Sequence, residues 1–420
     1  MFDQTRRSFS MAALGLALSA SFAVPASAAD NIVIGVPAAQ SGPVGVADHQ
    51  DWTNGVMLAI EEINAAGGVM GRQLESKIVD LDMLTPEGNV AGIQALTEGG
   101  SHAILSAFTI IPQPAMDAAA PSGIPYLHGN TSSVNDNLFK GDPQKYRNIF
   151  QLDVPEVWYG SGFVKFLQDM TESGQWEPKN NKIHIVQGQI SYTQLISQAT
   201  QAAAAATNGE WEIAQITDIQ FPVQDWAPVI RALQDTDAAA IMIDHWVAAE
   251  LAAFAQQYVY DPVPGALVYL QYGPSQPEFL DLAQGAGEGM VWGTVYGVYA
   301  DEMGTAFREK YRAKYPGTMG MVYTGGGYDA VYMMANAWEQ VGNPDDFDAV
   351  GDAIRAMEYR GINGFYKFNP ETNSGISYPN MTDDPEAGQA HLFFQVQDDE
   401  HRIIAPTPFA EVPFVAPPWW

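Results

Sequence analysis

The side chains best suited to catalysis or metal binding are scattered along the 420 residues of the chain, and they form no recognisable catalytic motif. There is no cysteine, which excludes disulfides, iron–sulfur clusters and thiolate zinc sites. No HExxH, GxxxxGK[ST] or GxSxG pattern occurs, and no two histidines have the spacing of metal ligands on a helix. The histidines are His49, His102, His128, His184, His245, His391 and His401. We therefore expect no catalytic residues, no metal and no cofactor, and a binding role is favoured over an enzymatic one.

The opening stretch of the chain predicts an element that can present a binding loop. Residues 31–36 form a short β-branched run typical of a buried parallel strand, and 40–45 form a loop rich in Gly and Pro. Asp51 is expected to cap a helix that closes at Gly67 and Gly68, before a second strand at 77–81. Such a unit leaves its loop at the carboxyl edge of a sheet, where α/β folds bind ligands.

Strands and helices continue to alternate in two consecutive series. The first series has strands at 103–106, 124–127 and 146–152, and the second begins with a strand at 183–186. A helix is predicted at 328–340, directly after three glycines that lack the pattern of a dinucleotide-binding loop. The alternation predicts an α/β fold of two doubly wound lobes, each with a parallel sheet.

Charge and composition narrow the class of partner. The formal net charge of −30 makes nucleic acid or an anionic membrane surface an unsuitable partner. Solubility is the ordinary explanation of such a charge, and adaptation to salt is a second. A hydrophobic content of 47% and this length favour a globular protein of two domains.

Residues 1–28 have the features of an export signal. TRRSFS at 5–10 is a twin-arginine signature, 11–24 is an apolar core too short to span a bilayer, and Ala26-Ser27-Ala28 is a small-residue cleavage site. The alternative is a basic amino terminus before a buried helix. We expect a periplasmic protein whose mature chain begins near Ala29.

An IGxxxxxSGPxG loop followed by AIEEINAAGGVMGRQLE resembles the periplasmic substrate-binding proteins of the leucine/isoleucine/valine type, which serve ABC importers. The resemblance implies the type I periplasmic binding protein fold, with two lobes joined by a three-segment hinge. It implies a first lobe of 29–152 plus 296–362 and a second lobe of 153–295 plus 363–420.

The resemblance also implies ligand-binding positions on both lobes. Thr109, Asn130 and Ser132 match positions that hold the polar ends of an amino acid, although each is also an ordinary turn or cap residue. Tyr192 and Trp246 match aromatic positions that cover the ligand, although core packing is the commoner role of aromatic residues.

One position departs from the family pattern. Gly273 stands where the leucine-type proteins carry a glutamate that pairs with the ligand ammonium. Asp244, or Asp48 in the first loop, could supply a replacement carboxylate. Tyr272, together with Tyr192 and Trp246, could instead form an aromatic box for a cation or a slot for an aromatic ring.

The expected function is that of a periplasmic solute-binding component of an ABC importer, binding an amino acid or a related small polar molecule. Aromatic acids, small amides or urea and methylated amines are alternative ligands. A ligand-sensing subunit and an amidase-like enzyme are alternative classes. The expected partners are the small-molecule ligand and a membrane permease, and the protein is expected to be a monomer.

Overall fold

A computed structural model describes residues 30–317 and 319–420, so the predicted leader at 1–28 lies outside the described residues. The strands are β1 (Ile32–Ala38), β2 (Leu74–Asp80), β3 (Ala103–Ser106), β4 (Tyr126–His128), β5 (Ile149–Gln151), β6 (Lys182–Gly188), β7 (Glu212–Ile219), β8 (Ala240–Asp244), β9 (Leu267–Gln271), β10 (Val291–Thr294), β11 (Glu358–Gly361), β12 (Gly364–Lys367), β13 (Ser377–Tyr378), β14 (Gln389–Ala390), β15 (Leu392–Gln397) and β16 (Glu400–Ala405). The helices are α1 (Val46–Ala65), α2 (Pro86–Thr97), α3 (Pro112–Ala119), α4 (Ser133–Gly141), α5 (Val157–Glu172), α6 (Ser191–Ala206), α7 (Ala227–Thr236), α8 (Ala248–Tyr258), α9 (Phe279–Ala283), α10 (Glu302–Lys314), α11 (Tyr323–Val341) and α12 (Phe347–Arg355). None of the helices in these ranges is both long enough and apolar enough to cross a bilayer.

The first sheet has five strands in the order β2-β1-β3-β4-β5, and all of its neighbouring pairs are parallel. Its inner strands are buried, because helices cover both faces of the sheet. The chain winds in opposite directions from β1 and β3, so the loops that follow these two strands diverge and leave a crevice at their carboxyl ends.

The second sheet repeats this arrangement. Strands β7-β6-β8-β9-β10 are parallel and have the same winding order as the first sheet. Two strands from the end of the chain, β15 and β16, extend the sheet antiparallel from β10. The predicted fold of two doubly wound α/β units is therefore confirmed, with the addition of an antiparallel edge on the second sheet.

The beginning of α1 differs from the prediction. The helix starts at Val46 after Gly45, whose left-handed backbone (φ 77°) sets the turn, and Asp51 is not its cap. Asp51 lies inside the helix and is buried, where its carboxylate accepts hydrogen bonds from the Tyr311 hydroxyl (2.6 Å) and the Gly320 N–H (3.1 Å). These two partners belong to a segment that is remote in sequence, so the local pattern could not reveal them.

Helix α11 begins five residues earlier than predicted and includes the three glycines at 325–327. Gly327 of α11 and Gly55 of α1 permit a close crossing of these two helices. A Cβ atom at Gly327 would lie 2.2 Å from the Trp52 carbonyl oxygen, and one at Gly55 would lie 2.1 Å from the Thr324 carbonyl oxygen. All three glycines therefore lie inside the helix and not in a loop before it, and Gly327 is the one that contacts α1.

The carboxyl-terminal segment packs on the protein's own surface, at the second sheet. The indole N–H groups of Trp419 and Trp420 both donate to the Ala266 carbonyl oxygen at 2.9 Å. Trp420 also stacks near Trp176, with a centroid distance of 6.3 Å. The aromatic end of the chain therefore completes the surface of this sheet.

Candidate ligand-binding site

A cavity of about 490 Å³ lies where the carboxyl ends of the two sheets meet. This volume is within the range of small-molecule sites, about 300–1,000 Å³. The loops after β3, β4, β6, β8 and β9 contribute to its wall, as do the beginnings of α6 and α11. The lining residues are Phe108, Thr109, Ile110, Pro112, Asn130, Thr131, Ser132, Val134, Glu156, Gln189, Ile190, Ser191, Tyr192, Gln194, Leu195, Trp246, Tyr272 and Tyr323. Six of the seven residues predicted from the sequence line the cavity, and Asp244 does not.

Thr109 and Asn130 present hydrogen-bonding groups that no described residue satisfies. The Thr109 backbone N–H donates to Asn130 Oδ1 at 2.8 Å, which joins the loops after β3 and β4. The Thr109 hydroxyl and the Asn130 side-chain nitrogen (Nδ2) are buried, and within 30–317 and 319–420 neither atom has a hydrogen-bond partner. A buried polar group without a partner costs about 1–3 kcal/mol, so these two atoms favour a polar ligand.

The loop that carries Asn130 is strained and anchored. Thr131 has a left-handed backbone (φ 45°), which is unusual for a β-branched residue. Its N–H and its hydroxyl both donate to the carboxylate of Asp153, a residue just after β5. Burial raises the pKa of Asp153 to about 7, although the hydrogen bonds from Thr131 oppose this shift. These hydrogen bonds therefore tie the loop after β4 to the chain just after β5.

Ser132 has a structural role as well as a position on the cavity wall. Its hydroxyl oxygen accepts from the Val134 N–H at 3.3 Å and caps α4, a helix that the sequence pattern did not predict. The structure therefore confirms the interpretation of Ser132 as a cap residue, and ligand binding by this side chain stays a prediction.

The aromatic residues of the second sheet have defined partners. The Tyr192 hydroxyl accepts from Gln271 Nε2 at 3.0 Å. Trp246 is partly exposed and stacks on Phe221, with ring centroids 6.0 Å apart. These contacts hold both side chains at the cavity wall.

Tyr272 connects the two halves of the structure through Asp48. Its hydroxyl donates to Asp48 Oδ1 at 3.0 Å, and Gln276 Nε2 donates to Asp48 Oδ2 at 2.8 Å. Asp48 was expected in the first loop, but it lies in the first turn of α1 and does not line the cavity. Burial raises the pKa of Asp48 to about 8, although the two hydrogen bonds oppose this shift. This carboxyl therefore links the halves directly.

Asp244 is fully buried at the end of β8, behind the cavity wall. Burial raises the pKa of its carboxyl well above the ordinary value, which favours the neutral form. A neutral acid behind the wall is poorly placed to pair with a cation in the cavity.

The sequence interpretation missed the carboxylate that does line the cavity, Glu156. Its oxygens accept from the Ser133 N–H (2.6 Å) and the Ser133 hydroxyl (2.9 Å). Burial raises the pKa of Glu156, and these hydrogen bonds oppose the rise. The only signal for it was its position just after the predicted passage between the lobes. No group of three potential metal ligands occurs among the described residues.

Comparisons with known proteins give the same architecture. A family described as periplasmic binding protein matches residues 31–382. A Pseudomonas aeruginosa protein named for binding leucine, isoleucine, valine, threonine and alanine is 25% identical over 354 residues, which are 83% of this chain and 89% of that protein.

Solved structures extend the match. A Silicibacter pomeroyi protein, described as a candidate branched-chain amino acid ABC transporter, is 34% identical and has a TM-score of 0.86, covering 93% of this chain and 100% of that chain. A solute-binding protein from R. palustris in complex with benzoate has a TM-score of 0.68 at 15% identity, covering 93% of this chain and 98% of that chain. The family match spans most of the chain and the fold agrees with it, so this chain belongs to the periplasmic binding protein family.

Proposed function

We propose that this protein is the solute-binding component of an ABC importer and binds one small molecule in the cavity between the two sheets. The observation that supports this most strongly is the pair of unpartnered groups at Thr109 and Asn130 on the cavity wall. An amide N–H₂ donates, and a hydroxyl can donate or accept, so together they suit the oxygens of a carboxylate or an amide.

An amino acid or a related small polar molecule is the ligand class that we propose. The wall combines those polar groups with the apolar side chains of Ile110, Val134 and Leu195, which suit an aliphatic or aromatic body. The named specificity of the Pseudomonas aeruginosa relative supports this class. The benzoate complex of the R. palustris protein supports an aromatic acid as the second candidate, and several aromatic rings line this cavity.

The mechanism that we propose is closure of two lobes on the ligand. The lobes are 29–152 plus 296–362 and 153–295 plus 363–420, and the change of sheet after β5 and the return of β15 to the second sheet support this division. Thr109 and Asn130 bind the polar end of the solute first. Tyr192 and Trp246 then cover it, and contacts made only in the closed form shift the equilibrium toward closure.

Export and delivery complete the proposal. Removal of a leader at 1–28 would release the mature protein into the periplasm, and the closed protein would deliver its solute to a membrane permease. We propose that the carrier is a monomer. It releases its ligand unchanged, so no catalytic step is involved.

The Thr109→Val variant tests the site sharply. Valine has nearly the same shape as threonine and removes a hydroxyl that has no partner in the described structure, so the ligand-free variant should be at least as stable as the wild type. Its affinity for the bound member of a panel of leucine, isoleucine, alanine, threonine and benzoate should fall about tenfold, measured by calorimetry.

Thr97→Val, at the end of α2 and outside the cavity, is the matched control and should bind like the wild type. Equal affinities of the Thr109 and Thr97 variants would remove this cavity from consideration as the binding site. Recovery of a chemically altered ligand after incubation would refute the assignment as a carrier.

A further inference from the structure

Phe221 is an apolar ring left at the surface near the cavity. It follows β7 and is 48% exposed, and it does not itself line the cavity. Single exposed apolar residues are common on protein surfaces, so exposure alone assigns Phe221 no role. Its contact with a residue of the cavity wall is a second, independent observation.

The Phe221 ring stacks on Trp246, with ring centroids 6.0 Å apart and an angle of 27° between the ring planes. It is the only ring that stacks on Trp246 among the residues that the structure describes. Trp246 lines the cavity and is partly exposed, so its indole lies where the cavity meets solvent. Stacked rings are stabilised beyond the area that they bury, so Phe221 restricts the orientation of the indole.

The loop that carries Phe221 is also tied to the segment that carries Trp246. Glu250, in the first turn of α8, accepts two hydrogen bonds at one carboxylate oxygen, Oε2. One comes from the Val223 N–H at 2.8 Å, and the other comes from His245 Nε2 at 2.9 Å. Val223 is two residues from Phe221 and His245 is next to Trp246, so this carboxylate fixes the two segments relative to each other.

An indole held in one orientation affects binding in a definite way. A side chain that is already in its bound orientation loses less conformational entropy when a ligand binds. A cover that stays in place also retains a bound ligand for longer, and affinity differences within one site are mostly differences in dissociation rate. Both effects reach the ligand only through Trp246, since Phe221 lies outside the cavity wall.

We propose that Phe221 is a positioning residue for ligand binding: it holds the Trp246 indole over the cavity and thereby slows the release of the bound solute. The inference rests on the proposed function and extends its site to a residue that does not touch the ligand. The role requires an aromatic ring at position 221, and an apolar side chain without a ring does not fulfil it.

The ligand-free protein provides the first test. The contribution of Trp246 to the near-ultraviolet circular dichroism is the difference between the wild type and Trp246→Phe, because an indole in a fixed, asymmetric environment gives a signal in this region. The same difference is measured in the Phe221→Ala background, where we expect most of it to be lost. An unchanged contribution would overturn the inference, whatever the protein binds.

Binding kinetics provide the second test, with a panel of leucine, isoleucine, alanine, threonine and benzoate. Phe221→Ala should weaken the affinity for the bound member about fivefold, through faster dissociation in stopped-flow experiments and with little change in Tm. Phe221→Tyr keeps the ring and should bind like the wild type, whereas Phe221→Leu should be weakened. Tyr260→Ala removes another exposed ring, 89% exposed and outside the cavity, and should change nothing.

A double-mutant cycle separates positioning from an independent effect. In the Trp246→Ala background, Phe221→Ala should cause no further loss of affinity, because the residue through which it acts is absent. An equal loss in both backgrounds would contradict the proposal and leave the binding function intact, as would wild-type binding by Phe221→Leu. Failure of every compound in the panel to bind would instead count against the proposed function, and the ligand-free spectra would still decide whether Phe221 orients Trp246.

Discussion

The crossing of α1 and α11 offers a sharp prediction, because a glycine there allows two backbones to touch. In the variant Gly327→Ala, the new Cβ would lie 2.2 Å from the Trp52 carbonyl oxygen. An ordinary C···O contact is about 3.3 Å, so the helices must separate by about 1 Å. The obstacle is backbone and cannot rotate away, which places the cost near the upper end of overpacking penalties, about 3 kcal/mol.

Two effects combine in the net value. Alanine stabilises a helix relative to glycine by about 0.5–1 kcal/mol, so Gly327→Ala should destabilise the protein by roughly 2 kcal/mol. A thermal unfolding experiment on the ligand-free protein should show a lower Tm. The separation would also displace Tyr323, one turn earlier on the cavity wall, whose hydroxyl donates to the Gly129 carbonyl oxygen. Ligand affinity should fall as well.

The matched control is Gly351→Ala in α12. There the nearest atom to the new Cβ would be Phe150 Cζ at 3.9 Å, an ordinary contact. Only the gain in helix propensity remains, so this variant should be more stable by up to about 1 kcal/mol. A Gly327→Ala protein as stable as Gly351→Ala would refute the interpretation that Gly327 is required for the close packing of α1 and α11.

Two further predictions concern binding and pH. Trp246→Ala should weaken ligand binding by about tenfold in calorimetry, with little change in Tm. The control Trp419→Ala, outside the cavity, should leave the affinity unchanged. Equal affinities of these two variants would remove Trp246 from the site. Burial raises the pKa of Asp48 from 3.8 to about 8 and that of Asp51 from 3.8 to about 7, so the folded state retains protons that the unfolded state releases. Stability should therefore fall, by an amount on the order of a few kcal/mol, as pH rises from about 4 to about 8, and Asp48→Asn should flatten this dependence of Tm on pH; an unchanged slope would contradict it.

Much of the architecture follows from local patterns. The strand and helix alternation, the glycine pair that ends α1 and the polar residues after β3 and β4 are all visible in the sequence, because each depends on neighbours a few residues away. The periodicity of a buried strand and the Gly/Pro content of a loop need no tertiary information. This is why the fold class could be predicted, whereas Thr109 and Asn130 were singled out only by the resemblance to the family.

Helix limits and the role of glycines were decided by contacts between distant segments. The prediction placed Asp51 at the start of α1 and the glycines at 325–327 before a helix. Both were wrong, since Asp51 is bound by Tyr311 and Gly320, and Gly327 faces Trp52 of another helix. A local window contains none of these partners.

The carboxylates show most clearly what only the tertiary structure decided. Asp48, Asp244 and Glu156 are all acidic residues close to predicted strand ends or to the predicted crossing between the lobes. Nothing in their local sequence patterns indicates which of them lines the cavity. Folding binds Asp48 to Tyr272, buries Asp244 at the end of β8 and leaves Glu156 on the cavity wall. The sequence determined that such a cavity would form between two sheets. Which charge faces it depends on solvent exposure and on partners hundreds of residues apart, which exist only once the chain has folded.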